Sequence, residues 1–278
     1  MKRAISGVPV VTWKYRTDAC EFTCFTTTRH GGRSTGEYAS FNLGAFCGDD
    51  PEKVASNRVL LCRELGIPPE RLFIPRQIHE DKILRIDAAF LSLPAGIRSE
   101  TCEQGYDALI TDCPGIALGV TTADCTPVVF YDPSNRVIAA AHAGWRGTAR
   151  GIASRVAAEM VAGYGCSYAT LRAFIFPSIS ARRYQVGSEV AEALEKTGIA
   201  LEKIARRDPA SPNRYYADVA EANRQQLLQA GLPPGNITRH TACTYEQDAD
   251  FFSARRQGFA CGRMVSGIVM NRLSPPVK

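Results

Sequence analysis

One segment of the chain places a cysteine and a histidine at the ends of apolar runs. The segment TTADCTPVVFYDPSNRVIAAAHAGWRG spans residues 121–147, and Cys125 lies between the runs GIALGVTT and PVVFYD. His142 ends the small-residue run VIAAAHA. Thiolate and imidazole are ligands that zinc prefers, so these side chains are candidates for one metal ion. The competing interpretation is packing, because an isolated cysteine commonly serves as a small buried apolar residue.

His79 is the third candidate ligand among the four histidines of the chain. It lies in FIPRQIHEDKIL, near the polar end of a predicted strand, whereas His30 lies in a glycine-rich loop and His240 ends the predicted strand NITRH. One cysteine and two histidines leave a fourth position for water, the arrangement typical of catalytic zinc. The three are far apart in sequence, unlike zinc-finger ligands, so spacing alone leaves the triad open.

The turn after His142, HAGWRGTARGI, suggests a separate anion-binding feature. Gly144 and Gly147 permit a tight turn. Arg146 then precedes a helix predicted to begin near Thr148, whose free backbone N–H groups would favour an anion. The alternative is a plain strand-to-helix connection with Thr148 as the N-cap.

Alternating and continuous apolar runs predict the elements that must position these residues. Helices are predicted at residues 51–65, 148–162, 188–197 and 217–230, the first because acidic residues precede Pro51. Strands are predicted at EFTCFTTT, RLFIPRQIH, KILRID, DALIT, IALGVTT, PVVFYD, VIAAAHA, LRAFIF, ITRH and MVSGIVMN. Several strands follow one another directly, which favours an α/β or α+β domain with mixed sheets. No linker or repeat divides the chain, so one domain over residues 1–278 is expected.

The composition indicates a globular protein rather than a membrane protein or a nucleic-acid-binding protein. Hydrophobic residues make up 45% and charged residues 22%, as in ordinary globular domains. No apolar run approaches the roughly 18 residues that span a bilayer, and the N-terminus lacks a signal-peptide core, so a cytoplasmic protein without a membrane partner is predicted. A net charge of +5 does not indicate nucleic acid. The ten cysteines include no CxxC pair and are expected to stay reduced, with Cys20 and Cys24 on one strand face.

The combination of ADC with HAGWRG resembles the laccase-domain family, also called the YfiH-type or polyphenol-oxidase-like family. The resemblance extends over nearly the whole chain and includes FNLGAFCGDDPEKVASNR, RQIH, YDALIT, YQVGSEV and CTYEQDADFFSARRQGFACGRM. It implies a layered α/β sandwich similar to the catalytic domain of deamidating bacterial toxins. It also implies that His79, Cys125 and His142 bind the metal, with zinc expected and copper possible.

The same resemblance implies an enzyme that cleaves purine nucleosides with phosphate. Members of the family are described as phosphorylases of adenosine, inosine and S-methyl-5′-thioadenosine with adenosine deaminase activity, and older descriptions call them copper-dependent phenol oxidases. Zinc lowers the pKa of a coordinated water, which suits deamination at C6 of adenine. A monomer or weak homodimer is expected, with purine nucleosides and phosphate as its partners.

Further site residues are hypotheses built on these elements. Asp124 is expected to orient a ligand or to act as an acid or base, and Asn42 to hydrogen-bond ribose or base. Guanidinium groups bind phosphate through paired hydrogen bonds, and the candidates for this role are Arg146, Arg255, Arg256 and then Arg58. Neighbouring residues on a strand face opposite ways, so at most one of Arg255 and Arg256 is expected to point into the site.

Several positions depart from the family pattern. Phe176 and Ser180 occupy positions where the family has glycine. Glu80 follows His79 where the family commonly has a small residue, and Ala254 replaces an aromatic residue. None of these changes a metal ligand.

Three other functions remain open from the sequence. The first is a copper-dependent polyphenol oxidase, although several coppers would need more histidines than the four present. The second is a cysteine hydrolase or amidase that edits peptidoglycan precursors, with Cys125 as nucleophile and His142 as base. The third is a metal-stabilised binding module without catalysis. Activity in chelator would favour the second, and absence of turnover with any nucleoside would favour the third.

Overall fold

A computed structural model of the chain describes residues 9–17 and 20–272. Its strands are β1 (Val10–Arg16), β2 (Cys20–Thr27), β3 (Leu72–Phe73), β4 (Ile83–Arg85), β5 (Ala108–Thr111), β6 (Ile116–Thr122), β7 (Thr126–Asp132), β8 (Val137–Ala143), β9 (Arg172–Ile175), β10 (Gln185–Gly187), β11 (Ala205–Asp208), β12 (Ser211–Ala217), β13 (Ile237–Arg239) and β14 (Met264–Arg272). Its α-helices are α1 (Pro51–Leu65), α2 (Ala88–Ser92), α3 (Ala95–Glu103), α4 (Trp145–Ala149), α5 (Ile152–Tyr164), α6 (Ser188–Glu195), α7 (Leu201–Ile204), α8 (Val219–Gln229) and α9 (Ala254–Gln257).

Two sheets lie face to face at the centre of the fold. One has the strand order β1-β2-β14-β6-β3 and the other the order β13-β9-β7-β8-β5-β4. Both are mixed, since β3 pairs parallel to β6 and β4 pairs parallel to β5 among antiparallel neighbours. Phe22, Leu118 and Ile268 of the first sheet share a buried cluster with Leu109 and Ile138 of the second. This confirms the α/β class with mixed sheets.

Helices cover the outer faces of both sheets. Leu61 of α1 packs in one cluster with Phe25 and Val269 of the first sheet. Val156 and Met160 of α5 pack with the outer face of the second sheet, and α8 contributes to the same cluster. The molecule is therefore a layered sandwich of helix, sheet, sheet and helices.

A third, smaller sheet with the order β10-β12-β11 was not among the predicted elements. Its β12 strand is mostly exposed or half-buried and has the polar sequence SPNRYYA. Such a strand lacks the apolar alternation on which strand prediction depends. Val190 and Leu194 of α6 pack against this sheet and form a separate small core with Val186.

The predicted helix at 51–65 is confirmed with the same bounds. Asp50 caps it by accepting the N–H of Glu52, and Gly66 ends it in the left-handed conformation.

The predicted helix at 148–162 is wrong in its bounds: the chain forms α4 and α5, separated at Gly151, whose φ is 74°. Helix α4 begins at Trp145 with Gly144 as its N-cap, so Thr148 is not the cap and Arg146 lies inside the helix.

None of the helices in the described ranges is long and apolar enough to cross a membrane. The predictions of one domain over 1–278 and of an N-terminus without a signal peptide include residues 1–8, 18–19 and 273–278. Those residues lie outside the described part of the chain.

Candidate metal centre and its cleft

Strand register brings Cys125 beside His142. Strands β7 and β8 pair antiparallel, with Thr126 opposite Ala143 and Pro127 opposite His142. Cys125 comes directly before β7, so it lies next to the end of β8. The ligand atoms of His79, Cys125 and His142 all lie within 4.8 Å of one another. We call these three residues the His–Cys–His cluster.

His79 reaches the cluster from a loop rather than from a strand. The predicted strand at 71–79 is wrong, because only Leu72–Phe73 pairs with a neighbour and Pro75 follows without an N–H to donate. His79 has a φ of 62°, a conformation that few non-glycine residues adopt. The Asp107 carboxylate accepts the backbone N–H groups of Ile78, His79 and Glu80 at 3.2, 3.0 and 2.8 Å. These bonds hold the loop in place of sheet pairing.

Asp107 also fixes His142. Its Oδ1 lies 2.8 Å from Nδ1 of His142, and its backbone carbonyl accepts the N–H of His142 at 2.7 Å. The Asp107 side chain is fully buried. Burial tends to raise its pKa, but the hydrogen bond and charge of His142 and the backbone N–H groups of Glu80 and Ile78 hold the pKa below its ordinary value. With Nδ1 engaged, Nε2 is the nitrogen available to a metal.

The sequence motifs do not predict a role for Asp107, although the segment YDALIT contains it. One signal was present: a ligating histidine usually donates its second N–H to a carboxylate or carbonyl. Choosing the correct aspartate requires the pairing of β5 with β8, where Ala108 lies opposite Ala141. That pairing is not visible in the sequence.

The cluster alters the acidity of its own members. Burial opposes ionisation of the Cys125 thiol, but the imidazoles of His142 and His79 outweigh it and lower the pKa to about 6. Burial also opposes protonation of His142, but the Cys125 thiolate and the Asp107 carboxylate raise its pKa to about 9. By contrast, burial without a cationic neighbour raises the pKa of Cys24 to about 12.

The residues of the cluster fit a metal ion. One sulfur and two imidazole nitrogens match zinc or copper and leave an open coordination position. Gly144 keeps the space around them clear, because a Cβ there would lie 3.1 Å from Sγ of Cys125 and 3.3 Å from Cδ2 of His79. Such contacts are tighter than most Cβ atoms make, so a side chain at this position would require Cys125 or His79 to shift by a few tenths of an ångström.

Asp124 supports the cluster from the preceding residue. Its φ is 95°, and its buried carboxylate accepts hydrogen bonds from Thr244 Oγ1 at 2.7 Å, Ser253 Oγ at 3.0 Å and the Arg255 N–H at 2.7 Å. These bonds fix the turn that presents Cys125. They support a positioning role for Asp124, and its predicted action as an acid or base stays a prediction.

The cluster opens into a cleft of about 220 Å³. The cleft is also lined by Phe46, Arg58, Gln77, Phe259 and Arg263. Gln77 ties the His79 loop to the end of β6, because its amide donates to the Thr121 carbonyl and accepts the Thr121 N–H.

Of the four arginines predicted to bind phosphate, Arg58 lines this cleft. It is half-buried, and its Nε and Nη2 donate to the Leu43 carbonyl at 3.2 and 3.1 Å. Burial lowers its pKa, and among the described residues no carboxylate forms an ion pair with it. Arg263, which also lines the cleft, was not among the candidates.

The other three arginines have partners elsewhere and are not among the residues that line the cleft. Arg146 stacks 4.4 Å from the Trp145 ring, Arg255 donates to the Gln185 carbonyl, and Arg256 pairs with Asp248 at 2.7 Å. The strand geometry assumed for Arg255 and Arg256 is wrong, since both lie in helix α9. Their contact with phosphate stays a prediction.

Asn42 is fully buried and bonded within the protein. Its amide donates to Asp49 at 2.9 Å, and its Oδ1 accepts the N–H groups of Gly44 and Arg263 at 3.0 and 2.8 Å. These bonds join the loop after Asn42 to the start of β14. The predicted contact of Asn42 with ribose or base stays a prediction.

The positions that depart from the family pattern have different surroundings. Phe176 is buried in the core, 5.4 Å from the Trp13 ring. Ala254 is among the residues that line the cleft.

The two remaining histidines lie outside the cluster. His30 lies 3.2 Å from Asp250 on the surface, and the His240 ring packs 5.7 Å from Trp13. Within residues 9–17 and 20–272, the His–Cys–His cluster is the one group of three or more such side chains placed to hold a metal.

Several known proteins resemble this chain over most of its length. The sequence model of the family described as multi-copper polyphenol oxidoreductase laccase matches residues 23–271. A purine nucleoside phosphorylase of Bacteroides thetaiotaomicron is 44% identical over 89% of this chain and 91% of its own length. Adenosine deaminase RL5, from an unknown prokaryotic organism, is 38% identical over 88% of this chain and 92% of its own. The crystal structure of a Bacillus licheniformis hypothetical protein, YfiH, superposes with a TM-score of 0.84 at 31% identity, covering 91% of this chain and 97% of that one.

Proposed function

The chain belongs to the family described as multi-copper polyphenol oxidoreductase laccase, and we propose that it is a zinc-dependent purine nucleoside phosphorylase. Its substrates in this proposal are adenosine, inosine and S-methyl-5′-thioadenosine together with phosphate. Relatives named purine nucleoside phosphorylase, at 44% and 37% identity, support the reaction class.

The observation that carries the proposal is a half-buried cation in the cleft of the His–Cys–His cluster that has no acidic partner among residues 9–17 and 20–272. Arg58 lines this cleft, and its hydrogen bonds go to the Leu43 carbonyl. A charge removed from water is costly unless an opposite charge approaches it. Phosphate is the anion that phosphorolysis requires, and guanidinium binds it well. The pairing of a metal site with an unpaired cation therefore suits phosphorolysis better than simple hydrolysis.

The reaction has a defined balance of bonds. A phosphate oxygen forms a bond to C1′ of the ribose while the C1′–N9 bond breaks, and the proton that hydrogen phosphate loses is taken up by the departing purine. Arg58 orients the phosphate and neutralises its charge. Asp107 keeps His142 in one tautomer and orientation. Bound zinc would supply Lewis-acid stabilisation of developing negative charge.

Adenosine deamination is proposed as a second activity of the same cleft. The relative named adenosine deaminase RL5 supports it. In this reaction water adds to C6 of adenine and ammonia leaves, so phosphate takes no part. The two activities are separated by the dependence of their rates on phosphate.

A cysteine hydrolase is the alternative that one specific observation favours. The lowered pKa of Cys125 and the raised pKa of His142 describe a thiolate beside an imidazolium, the pair that a nucleophilic cysteine uses. Such an enzyme works in chelator, whereas the proposed phosphorylase stops. A multicopper oxidase has less support, since the described residues hold a single cluster of this kind.

The proposal is tested by base release with and without phosphate. Purified zinc-loaded protein is incubated with inosine or adenosine, and the products are separated by chromatography. We expect hypoxanthine or adenine, with ribose 1-phosphate, to form in phosphate buffer and to be absent in a phosphate-free buffer. Equal base release in both buffers, with free ribose as product, would show a hydrolase instead.

A further inference from the structure

Two phenylalanine rings stand exposed at the edge of the cleft. Phe46 is 62% exposed and Phe259 is 86% exposed, the two most exposed large apolar side chains within the described residues. Both line the same cleft as His79, Cys125 and His142. An apolar ring in water is unfavourable, so two rings at one ligand site suggest that a ligand covers them. We call Phe46 and Phe259 the cleft mouth.

The ring of Phe259 lies on a loop whose shape is held from within. Arg263 donates to the carbonyls of Phe259, Cys261 and Gly262 at 3.1, 2.6 and 3.1 Å. Gly262 lies against the Phe252 ring, where a Cβ would approach to 2.4 Å. The loop is therefore anchored on the buried side while the Phe259 ring stays in solvent.

The Phe46 loop is joined to the Phe259 loop. The N–H of Leu43 donates to the Arg263 carbonyl at 3.1 Å, and the N–H of Arg263 donates to Oδ1 of Asn42 at 2.8 Å. The Arg76 guanidinium lies 5.6 Å from the centre of the Phe46 ring. These contacts fix both loops relative to the same cleft.

The cleft offers few free polar groups to the edge of a base. None of the described residues that line it is an aspartate or glutamate. The Gln77 amide is already occupied by the backbone and hydroxyl of Thr121. Hydrogen bonds to the edge of the base therefore have little structural support. Stacking on the flat face of the base is supported by the two exposed rings of the cleft mouth.

We infer that Phe46 and Phe259 form an aromatic clamp that stacks on the purine base of the substrate. The identity of the ligand as a purine rests on the proposed function. Aromatic stacking on a base does not depend on its edge groups, because every base has a π face. The clamp thus accepts adenine and hypoxanthine alike, and it holds the base at the mouth of the cleft that contains the His–Cys–His cluster.

The clamp is tested with Phe46→Ala, Phe259→Ala and the double variant, all zinc-loaded. Phe46→Tyr and Phe259→Tyr keep a ring and serve as conservative variants, and Leu93→Ala, 39% exposed on another surface, is the matched control. We expect each alanine variant to raise KM for inosine about 5- to 100-fold with kcat changed less. The tyrosine variants, which keep a ring, should raise KM less than the alanine variants do, and Leu93→Ala keeps the wild-type KM.

Calorimetric binding of free hypoxanthine separates the clamp from the proposed reaction. Binding that weakens in both alanine variants supports the clamp even if wild-type protein fails to cleave inosine, a result that would overturn the proposed function alone. Phosphorolysis with unchanged KM and unchanged hypoxanthine affinity in the double variant would overturn the clamp. Sedimentation identifies the rival occupant: loss of a dimer in the double variant, with KM kept, would make the rings a contact between copies and would also overturn it.

Discussion

The two ends of the cleft are built differently. At the inner end, His142 is 3% exposed on a central strand, and the fully buried Asp107 orients both His142 and the His79 loop. At the cleft mouth, Phe46 and Phe259 stand in solvent on loops. The inner end is set by strand register and a buried carboxylate, whereas the mouth is set by loop contacts. In the proposed function the inner end performs the chemistry, and the mouth binds the base that enters.

The largest effect should follow loss of an inner ligand. We expect His142→Ala to lose its zinc and at least about a thousandfold in phosphorolysis rate, because several kcal/mol of transition-state stabilisation depend on the ion. Elemental analysis and initial rates measure both. His240→Ala, a histidine packed near Trp13 outside the cluster, should keep both zinc and activity. A His142→Ala protein that retains zinc would contradict the assignment of that ligand.

Removing the charge of Asp107 should have the next largest effect. Asp107→Asn places an amide NH₂ where the carboxylate now accepts backbone N–H groups, which disturbs the His79 loop. We expect zinc affinity or activity to fall about 10- to 100-fold. The matched control is Asp132→Asn, since Asp132 is equally buried and accepts the N–H groups of Ser134 and Asn135 away from the cluster. It should reduce stability without changing zinc affinity, and equal zinc loss in both variants would refute a specific role for Asp107.

Substitution of Arg58 tests whether phosphate binds in the cleft. Arg58→Gln should raise KM for phosphate about 10- to 100-fold, the worth of a charge-assisted hydrogen bond, while KM for inosine changes little. Steady-state kinetics with each substrate varied in turn separates the two constants. Arg224→Gln, which breaks an ion pair with Glu221 on α8, is the control. If Arg255→Gln raises KM for phosphate and Arg58→Gln does not, phosphate binds outside the cleft of the His–Cys–His cluster.

The smallest effect concerns the acidity of Cys125 in metal-free protein. Because the folded pKa of Cys125 is lowered to about 6, its thiolate is present above that pH and lost as the pH falls through it. Alkylation by iodoacetamide, followed by peptide mass spectrometry, should therefore rise with a midpoint near pH 6. Cys24, with a pKa of about 12, should stay unmodified at neutral pH. A Cys125 midpoint near its ordinary value of 9.0 would show that His142 and His79 do not stabilise the thiolate.

The sequence predicts the strands at the inner end of the cleft better than the loops at its mouth. The runs IALGVTT and VIAAAHA become β6 and β8 with the expected bounds, since buried strands have a strong apolar pattern. The metal triad depends on resemblance, because its members lie on separate elements that meet through strand register. The role of Asp107 could not be derived, since it depends on the pairing of β5 with β8. The arginine positions could not be derived either, since the contacts of long side chains depend on the geometry of the surrounding loops and helices. The break between α4 and α5 lies at Gly151, which adopts the left-handed conformation. The spacing of apolar residues does not reveal the conformation of a single glycine, so the sequence does not predict this break.

The measurement that tests the central claim most directly joins metal content to phosphate-dependent turnover. Wild-type protein and Cys125→Ala are purified in parallel, with Cys113→Ala, a cysteine outside the cleft lining, as control. We expect about one zinc per chain in wild type and Cys113→Ala, with inosine phosphorolysis that stops in chelator and returns when zinc is added. Cys125→Ala should lack both zinc and activity. Full phosphorolysis by metal-free Cys125→Ala would contradict the account.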